Sequence, residues 1–231
     1  MMTQVEGKIF LAGQRGLKET DRFRTWYTFN HGDYFSACKQ PFGNLYTTSD
    51  ETYSGNYSTT QVVLVEGFIL LLPVVGAVCF SIDGGEEYIV QAGELLCAAV
   101  KTGSCIAIAN PYETELVNFI QLGLQANVSN AEVSITPFSF TAYPNKLIPL
   151  NIEMGGQAIR CYIGKFAGRM EEVCHPATGN SLFTYIIDGA FEVQNRLLER
   201  RDALALRHVS EMDMEALSNE AVVFIIEIPH D

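Results

Sequence analysis

Histidine is scarce in this 231-residue chain. There are four, His31, His175, His208 and His230, so the whole segment from residue 32 to residue 174 carries none. A histidine-centred metal site therefore cannot be built from the middle of the chain. Basic residues are few as well: 15 Lys and Arg stand against 27 Asp and Glu, for a net charge of −12. A surface of that sign repels phosphate backbones and anionic lipid headgroups, which excludes nucleic acid and membrane surfaces as expected partners. Long uninterrupted apolar runs are missing. The stretch QVVLVEGFILLLPVVG, residues 61–76, is broken by Glu66, Gly67, Pro73 and Gly76, whereas a membrane helix needs roughly 18 nearly continuous apolar residues. The opening residues MMTQVEGKIFLAGQRG lack the basic region and apolar segment of a secretory leader, which leads us to expect a cytoplasmic protein. No C-x-x-C pair occurs among Cys38, Cys79, Cys97, Cys105, Cys161 and Cys174, several of which sit in apolar runs, and all six are read as reduced thiols. The glycine-rich nucleotide loops and the G-x-S-x-G nucleophile motif are absent too.

What is present reads as β structure. Short apolar or alternating runs recur between turn residues, among them KIFLA, AVCFSI, YIVQ, CIAIA, VNFIQLGL, AIRCYIGKF, LFTYII and AVVFIIEI. That spacing predicts an all-β sandwich or barrel. Asp83-Gly84-Gly85 lies between two such runs and predicts a hairpin, because a tight turn needs the positive φ that glycine supplies. One stretch opposes the pattern: residues 196–217, RLLERRDALALRHVSEMDMEAL, are rich in good helix formers. The chain also echoes itself. PVVGAVCFSID around Gly76 and IIDGAFEVQN around Gly189 share an apolar strand, a Gly-Ala pair and an alternating strand, at an offset of 189 − 76 = 113 residues. Half-chain repetition predicts two similar β domains in tandem. Polar and turn-forming residues place the boundary at 126–146, with domains at 1–125 and 147–231.

The segments RFRTWYTFNHGDYF (22–35) and FGNLY (42–46) resemble the opening of the pirin family, which includes bacterial quercetinase-like bicupins. GAVCFSIDGGEEYIVQAGEL and TGSCIAIAN are similar to later pieces in the same order, and YIGKFAGRMEEVCHPATGNSLFTYIIDGAFEV with AVVFIIEIP is similar to the C-terminal cupin domain. The resemblance implies two tandem cupin barrels, double-stranded β-helices of the jelly-roll kind. It also implies, in metal-binding members, a His-x-His pair and a later His-x-Glu pair in the first barrel. Residues two apart on a strand point to one face, so four such ligands would converge on a metal able to bind oxygen or an enediol-like substrate. Anchored on Gly76, those positions fall here at Val62 and Leu64, with Phe68 following; anchored on TGSCI, they fall at Ile108 and Asn110. Aliphatic side chains offer no lone pair, and one neutral amide is a poor ligand. The expectation is a metal-free first barrel with no cofactor, its former site filled with hydrocarbon from Val62 to Leu72.

The leading functional expectation is non-enzymatic. A first-barrel pocket lined by Val62, Leu64, Phe68, Ile108 and Asn110 would take a small hydrophobic molecule, or, if packed solid, would leave function to a surface that meets a protein partner. The rival reading is a quercetin 2,3-dioxygenase-like oxidoreductase with a relocated metal, built for instance from His31 and nearby carboxylates such as Asp33, or with metal-independent chemistry. His175 after Cys174 is read as part of a turn rather than a thiol and base pair, since adjacent strand residues face opposite ways. Glu113 and Glu115, after Asn110, are read as a solvated loop.

Overall fold

The structure, a computed structural model, describes residues 5–31 and 34–229. Along the chain run β1 (Gly7–Phe10), a 3-10 turn at Ala12–Gln14, β2 (Gly16–Glu19), β3 (Phe23–Tyr27), β4 (Leu45–Tyr53), β5 (Ser58–Val62), β6 (Gly67–Val75), β7 (Ala77–Ile82), β8 (Glu87–Gln91), β9 (Glu94–Val100), β10 (Cys105–Ala109), β11 (Val117–Gln125) and β12 (Glu132–Pro137). The second half holds β13 (Leu147–Met154), β14 (Gln157–Phe166), β15 (Glu171–Cys174), β16 (Ser181–Asp188), β17 (Phe191–Val193), β18 (Arg196–Leu198), β19 (Ala203–Leu206), β20 (Met212–Ala216) and β21 (Ala221–Ile228). Among the described residues no helix is long and apolar enough to cross a membrane.

Contacts divide the chain into two compact units. The first comprises Gly16–Phe138 with Ile152–Gln157, and the second the described residues up to Arg15, Ser139–Asn151 and the residues from Ala158 onward. In the first, a seven-stranded sheet ordered β12-β9-β6-β11-β4-β3-β2 faces a four-stranded sheet ordered β5-β10-β7-β8. They share a core that includes Tyr53, Ile69, Leu71, Phe80, Leu96, Ile108 and Phe119. The second unit repeats the plan with a six-stranded sheet, β1-β19-β16-β21-β14-β13, and a four-stranded one, β15-β20-β17-β18, around Phe166, Leu182, Phe191, Leu204, Met212 and Ile225.

The repeat seen in the sequence is structural. Gly76 links β6 to β7 and Gly189 links β16 to β17, with φ of +77° and +73°. A Cβ at Gly76 would press on Val117 at the start of β11, and one at Gly189 on Ala221 at the start of β21. Glycine is required twice for the same reasons, left-handed backbone and close approach. The Asp83-Gly84 hairpin forms as expected between β7 and β8, both residues at positive φ.

Two expectations need correction, and the one stretch that opposed the β pattern joins it. The boundaries at 1–125, 126–146 and 147–231 are not those of the two units: β1 pairs with β19 of the second unit, and the expected linker contains β12, which pairs with β9. The helix formers at 196–217 build β18, β19 and β20, because Leu198, Ala203–Leu206, Met212, Met214 and Ala216 are buried, and tertiary burial outweighs a propensity worth tenths of a kcal/mol per residue. The apolar run 61–76 is not one filling strand. It ends β5, turns at 63–66 and begins β6 in the opposite sheet.

Candidate functional site

Strands β2, β3, β4 and β11 lie side by side, and directly opposed residues of an antiparallel pair share a face. Their register therefore writes three rows across the interior of the first barrel. One row is Phe23, Tyr53 and Val117; the next is Lys18, Thr25, Glu51 and Phe119; the third is Tyr27, Ser49, Gln121 and Leu71. The period of two brings Thr47, Ser49, Glu51 and Tyr53 from LYTTSDETY to one side.

Phe23, Tyr53, Lys18, Thr25, Glu51, Tyr27, Ser49 and Gln121 of these rows form the floor of a cavity of about 560 Å³, a volume ordinary for a small-molecule site, while Val117, Phe119 and Leu71 pack in the core. Tyr57 and Thr59 to Val65 close it from the β5 side, with Ile69 of β6 and Ile106 of β10 behind them. Tyr53 donates to or accepts from Thr59 Oγ1 at 3.0 Å, and its ring meets those of Tyr57 and Phe119 edge-on at 4.9 and 5.1 Å. Phe23 stacks on Tyr57 at 5.4 Å. His31 stacks on Tyr27 at 4.4 Å at the rim, where burial of its ring and the charge of Lys18 hold its pKa below the usual value.

Glu51 is the ionisable group at the bottom. It is only 5% exposed, and burial pushes its carboxyl up to about 7, a rise that hydrogen bonds from Thr25 and Ser49 and the charge of Lys18 only partly offset. Thr25 Oγ1 donates to Glu51 Oε2. Burial, then the neighbouring Glu51, also raises the phenol of Tyr53 well above its ordinary value, and that of Tyr27 to a lesser degree. Gln121 is 8% exposed, and its Oε1 is buried without a hydrogen-bond partner among the described residues. A buried acceptor left unpaired is unfavourable, and in a cavity wall it marks where a donor is missing.

The expected pocket residues are not brought together. Val62 and Leu64 do line the cavity, but at its mouth, 57% and 82% exposed, so they do not fill the interior. Phe68 is buried on the face of β6 opposite Ile69. Ile108 is packed in the core, one inward position deeper than Ile106, which β10 gives to the cavity instead. Asn110 is a structural residue: its Nδ2 lies 3.2 Å from Tyr53 O, 2.9 Å from Ser54 O and 2.8 Å from Glu115 O, and its Oδ1 accepts from Tyr112 N at 2.9 Å. Glu113 and Glu115 are exposed loop residues, and His175 follows buried Cys174 out into a loop. Asp33 and His230 lie outside the described residues.

Glu51 and Gln121 escaped the sequence reading. The inward alternation of Thr47, Ser49, Glu51 and Tyr53 was available as a signal, but nothing local says that this face of β4 is the buried one.

The donor set does not suit a transition metal. Val62, Leu64 and Ile106 at the cavity edge carry no lone pair, and among the described residues no three His, Cys, Asp or Glu side chains converge as ligands. His31 and Glu51 are two such residues in the lining, one at the rim and one at the floor.

Residues 156–228 match the model of the quercetinase C-terminal cupin domain. No curated protein matches the chain. Among solved structures it is similar to YhhW from Escherichia coli, with a TM-score of 0.84 and 17% identity over 97% of this chain and 99% of that one. A nickel(II) complex of the bacterial pirin YhhW from Escherichia coli gives 0.80 and 18% over 97% and 100%. Quercetin 2,3-dioxygenase from Acinetobacter baumannii gives 0.74 and 11% over 99% and 88%. Its second half matches the quercetinase C-terminal cupin domain, and its two units share the tandem cupin fold of the bacterial pirin structures.

Proposed function

We propose that the chain binds a small molecule in the cavity of its first barrel and does so without a metal at the positions where metal-binding relatives are expected to hold one. The observation that carries this reading is the cavity floor, where buried Glu51 and Gln121, the latter with an unpartnered Oε1, line a space of about 560 Å³. The chemistry differs from the hydrophobic pocket expected from Val62, Leu64, Phe68, Ile108 and Asn110. The walls are aromatic and aliphatic, and the floor is an acceptor-rich polar patch. In the second unit the core includes Phe166, Phe191, Leu198, Met212 and Met214.

The test combines a thermal-shift screen of small molecules on metal-stripped protein with the rim variant Val62→Trp. Val62 is exposed, so the larger side chain narrows the mouth without disturbing the core. Ligands that stabilise the wild type and not the variant support the reading; ligands indifferent to the variant, or stabilisation only after metal is restored, overturn it.

A second reading is favoured by one observation. A carboxyl at about 7 is matched to proton transfer near neutral pH, so Glu51 has the character of a general acid or base in metal-independent chemistry on the bound molecule. Turnover that follows an ionisation near 7 and disappears in Glu51→Gln would favour that enzyme over a binding protein.

A further inference from the structure

We propose that the cavity of the first barrel takes an organic ammonium ion, a protonated primary or secondary amine on a small apolar body, held between Glu51 and Gln121. This rests on the reading of the cavity as a ligand site and names the class of ligand.

Three features point to it. The first is the spacing of acceptors. Ser49 stands directly opposite Gln121, and Glu51 is the next residue on the same face of β4, so Glu51 and Gln121 are diagonal neighbours. Diagonal cross-strand positions lie roughly 7–8 Å apart at the backbone, close enough for two side-chain oxygens to approach the roughly 5 Å that two N–H···O bonds of about 2.9 Å from one tetrahedral nitrogen span. A group with at least two donor hydrogens can satisfy both oxygens, which a single hydroxyl cannot.

The second is charge. Glu51 is held by the hydroxyls of Thr25 and Ser49, while the cation on its own row, Lys18, lies one strand further out, beyond Thr25. Lys18 lines the same cavity but offsets only part of the cost of burying this carboxylate, and a cationic ligand beside Glu51 completes the pairing. A neutral ligand does not, and an anion meets repulsion from Glu51 and from a chain of net charge −12.

The third is the wall. Phe23, Tyr27, Tyr46, Tyr53 and Tyr57 all line the cavity, and aromatic rings attract cations through their quadrupoles. The protein already uses them in this way: Lys18 Nζ lies 5.8 Å from the centre of the Phe23 ring, and the Arg22 guanidinium 5.7 Å from that of Tyr57.

The test uses three probes of nearly one shape and different charge, benzylamine, benzyl alcohol and benzoate, titrated calorimetrically into the full-length chain at about pH 8, where the amine is protonated and Glu51 ionised. The expected result is that benzylamine binds about tenfold or more tightly than benzyl alcohol, a difference of about 1.4 kcal/mol, and that benzoate does not bind. Glu51→Gln should reduce the amine preference to within about threefold, and Gln121→Leu should weaken benzylamine binding independently, so that a folding failure in one variant leaves the other decisive. Benzyl alcohol binding the wild type as tightly as benzylamine would overturn the ammonium class while leaving the ligand site standing. No binding of any probe at millimolar concentration, or binding that Val62→Trp leaves intact, would overturn both.

Discussion

At the residue scale, Glu51 links fold to chemistry. Its folded pKa, about 7 against an ordinary 4.5, is raised first by burial. The folded state therefore holds this proton more tightly than the unfolded chain does. The resulting stabilisation is full below about pH 4.5 and is lost as the pH rises to about 7, a change on the order of 3 kcal/mol. Glu51→Gln keeps the shape and removes the titration. Urea denaturation at pH 5 and pH 8 is expected to show wild type less stable at the higher pH, and the variant with a much flatter profile. Asn110 illustrates the opposite role. Its buried amide ties Tyr53, Ser54, Glu115 and Tyr112 together under a largely exposed loop, so Asn110→Ala should lose about 1–3 kcal/mol by leaving buried backbone acceptors unpaired. It should not alter ligand preference directly. The missing donors at 62 and 64 were legible from the chain, because an aliphatic residue lacks lone pairs in any fold. The burial of Glu51 was not, because it depends on which face of β4 meets β5.

At the element scale, register decides what a motif means. The sequence placed the second pair of positions at Ile108 and Asn110, whereas β10 brings Ile106 to the cavity and Ile108 into the core. Strand β1 shows how far an element can stand from its partner in the chain. Gly7–Phe10 pairs with Ala203–Leu206, and Phe10, fully buried, meets the Phe183 ring at 6.2 Å. Phe10→Ala should destabilise the second unit by about 3–5 kcal/mol, read as faster amide exchange in β19 while β6 and β11 of the first unit keep their protection. Glu227, near the end of β21, accepts hydrogen bonds from Tyr162 Oη at 2.7 Å, Ala177 N at 3.0 Å and Asn180 Nδ2 at 2.7 Å. Glu227→Ala should release the 175–180 loop to rapid exchange and lower stability by about 3 kcal/mol, charge-assisted bonds being the stronger kind.

At the scale of the whole molecule, one barrel plan occurs twice with different interiors. Both hold a core of large apolar side chains, and the first also opens onto a polar floor. Because the residues at the mouth and floor do not form a metal's ligand set, elemental analysis of protein purified without chelators, from cells supplied with iron, manganese, nickel, copper and zinc, is expected to find metal far below one ion per chain. A near-stoichiometric metal surviving dialysis would require ligands that include residues such as Asp33 or His230, beyond those described.

The sequence by itself determined the β class, the twofold repetition around Gly76 and Gly189, the Asp83-Gly84 hairpin and the absence of histidine from the middle of the chain. Each of these depends on local geometry or on side-chain chemistry that no fold can change. Tertiary structure decided the rest. Membership of β1 and β12, the strand fate of residues 196–217 and the burial of Glu51 beside Gln121 are set by partners tens to nearly two hundred residues away. Burial and pairing, which fix pKa and unsatisfied hydrogen bonding, are properties of neighbours in space, and a linear chain does not state its neighbours.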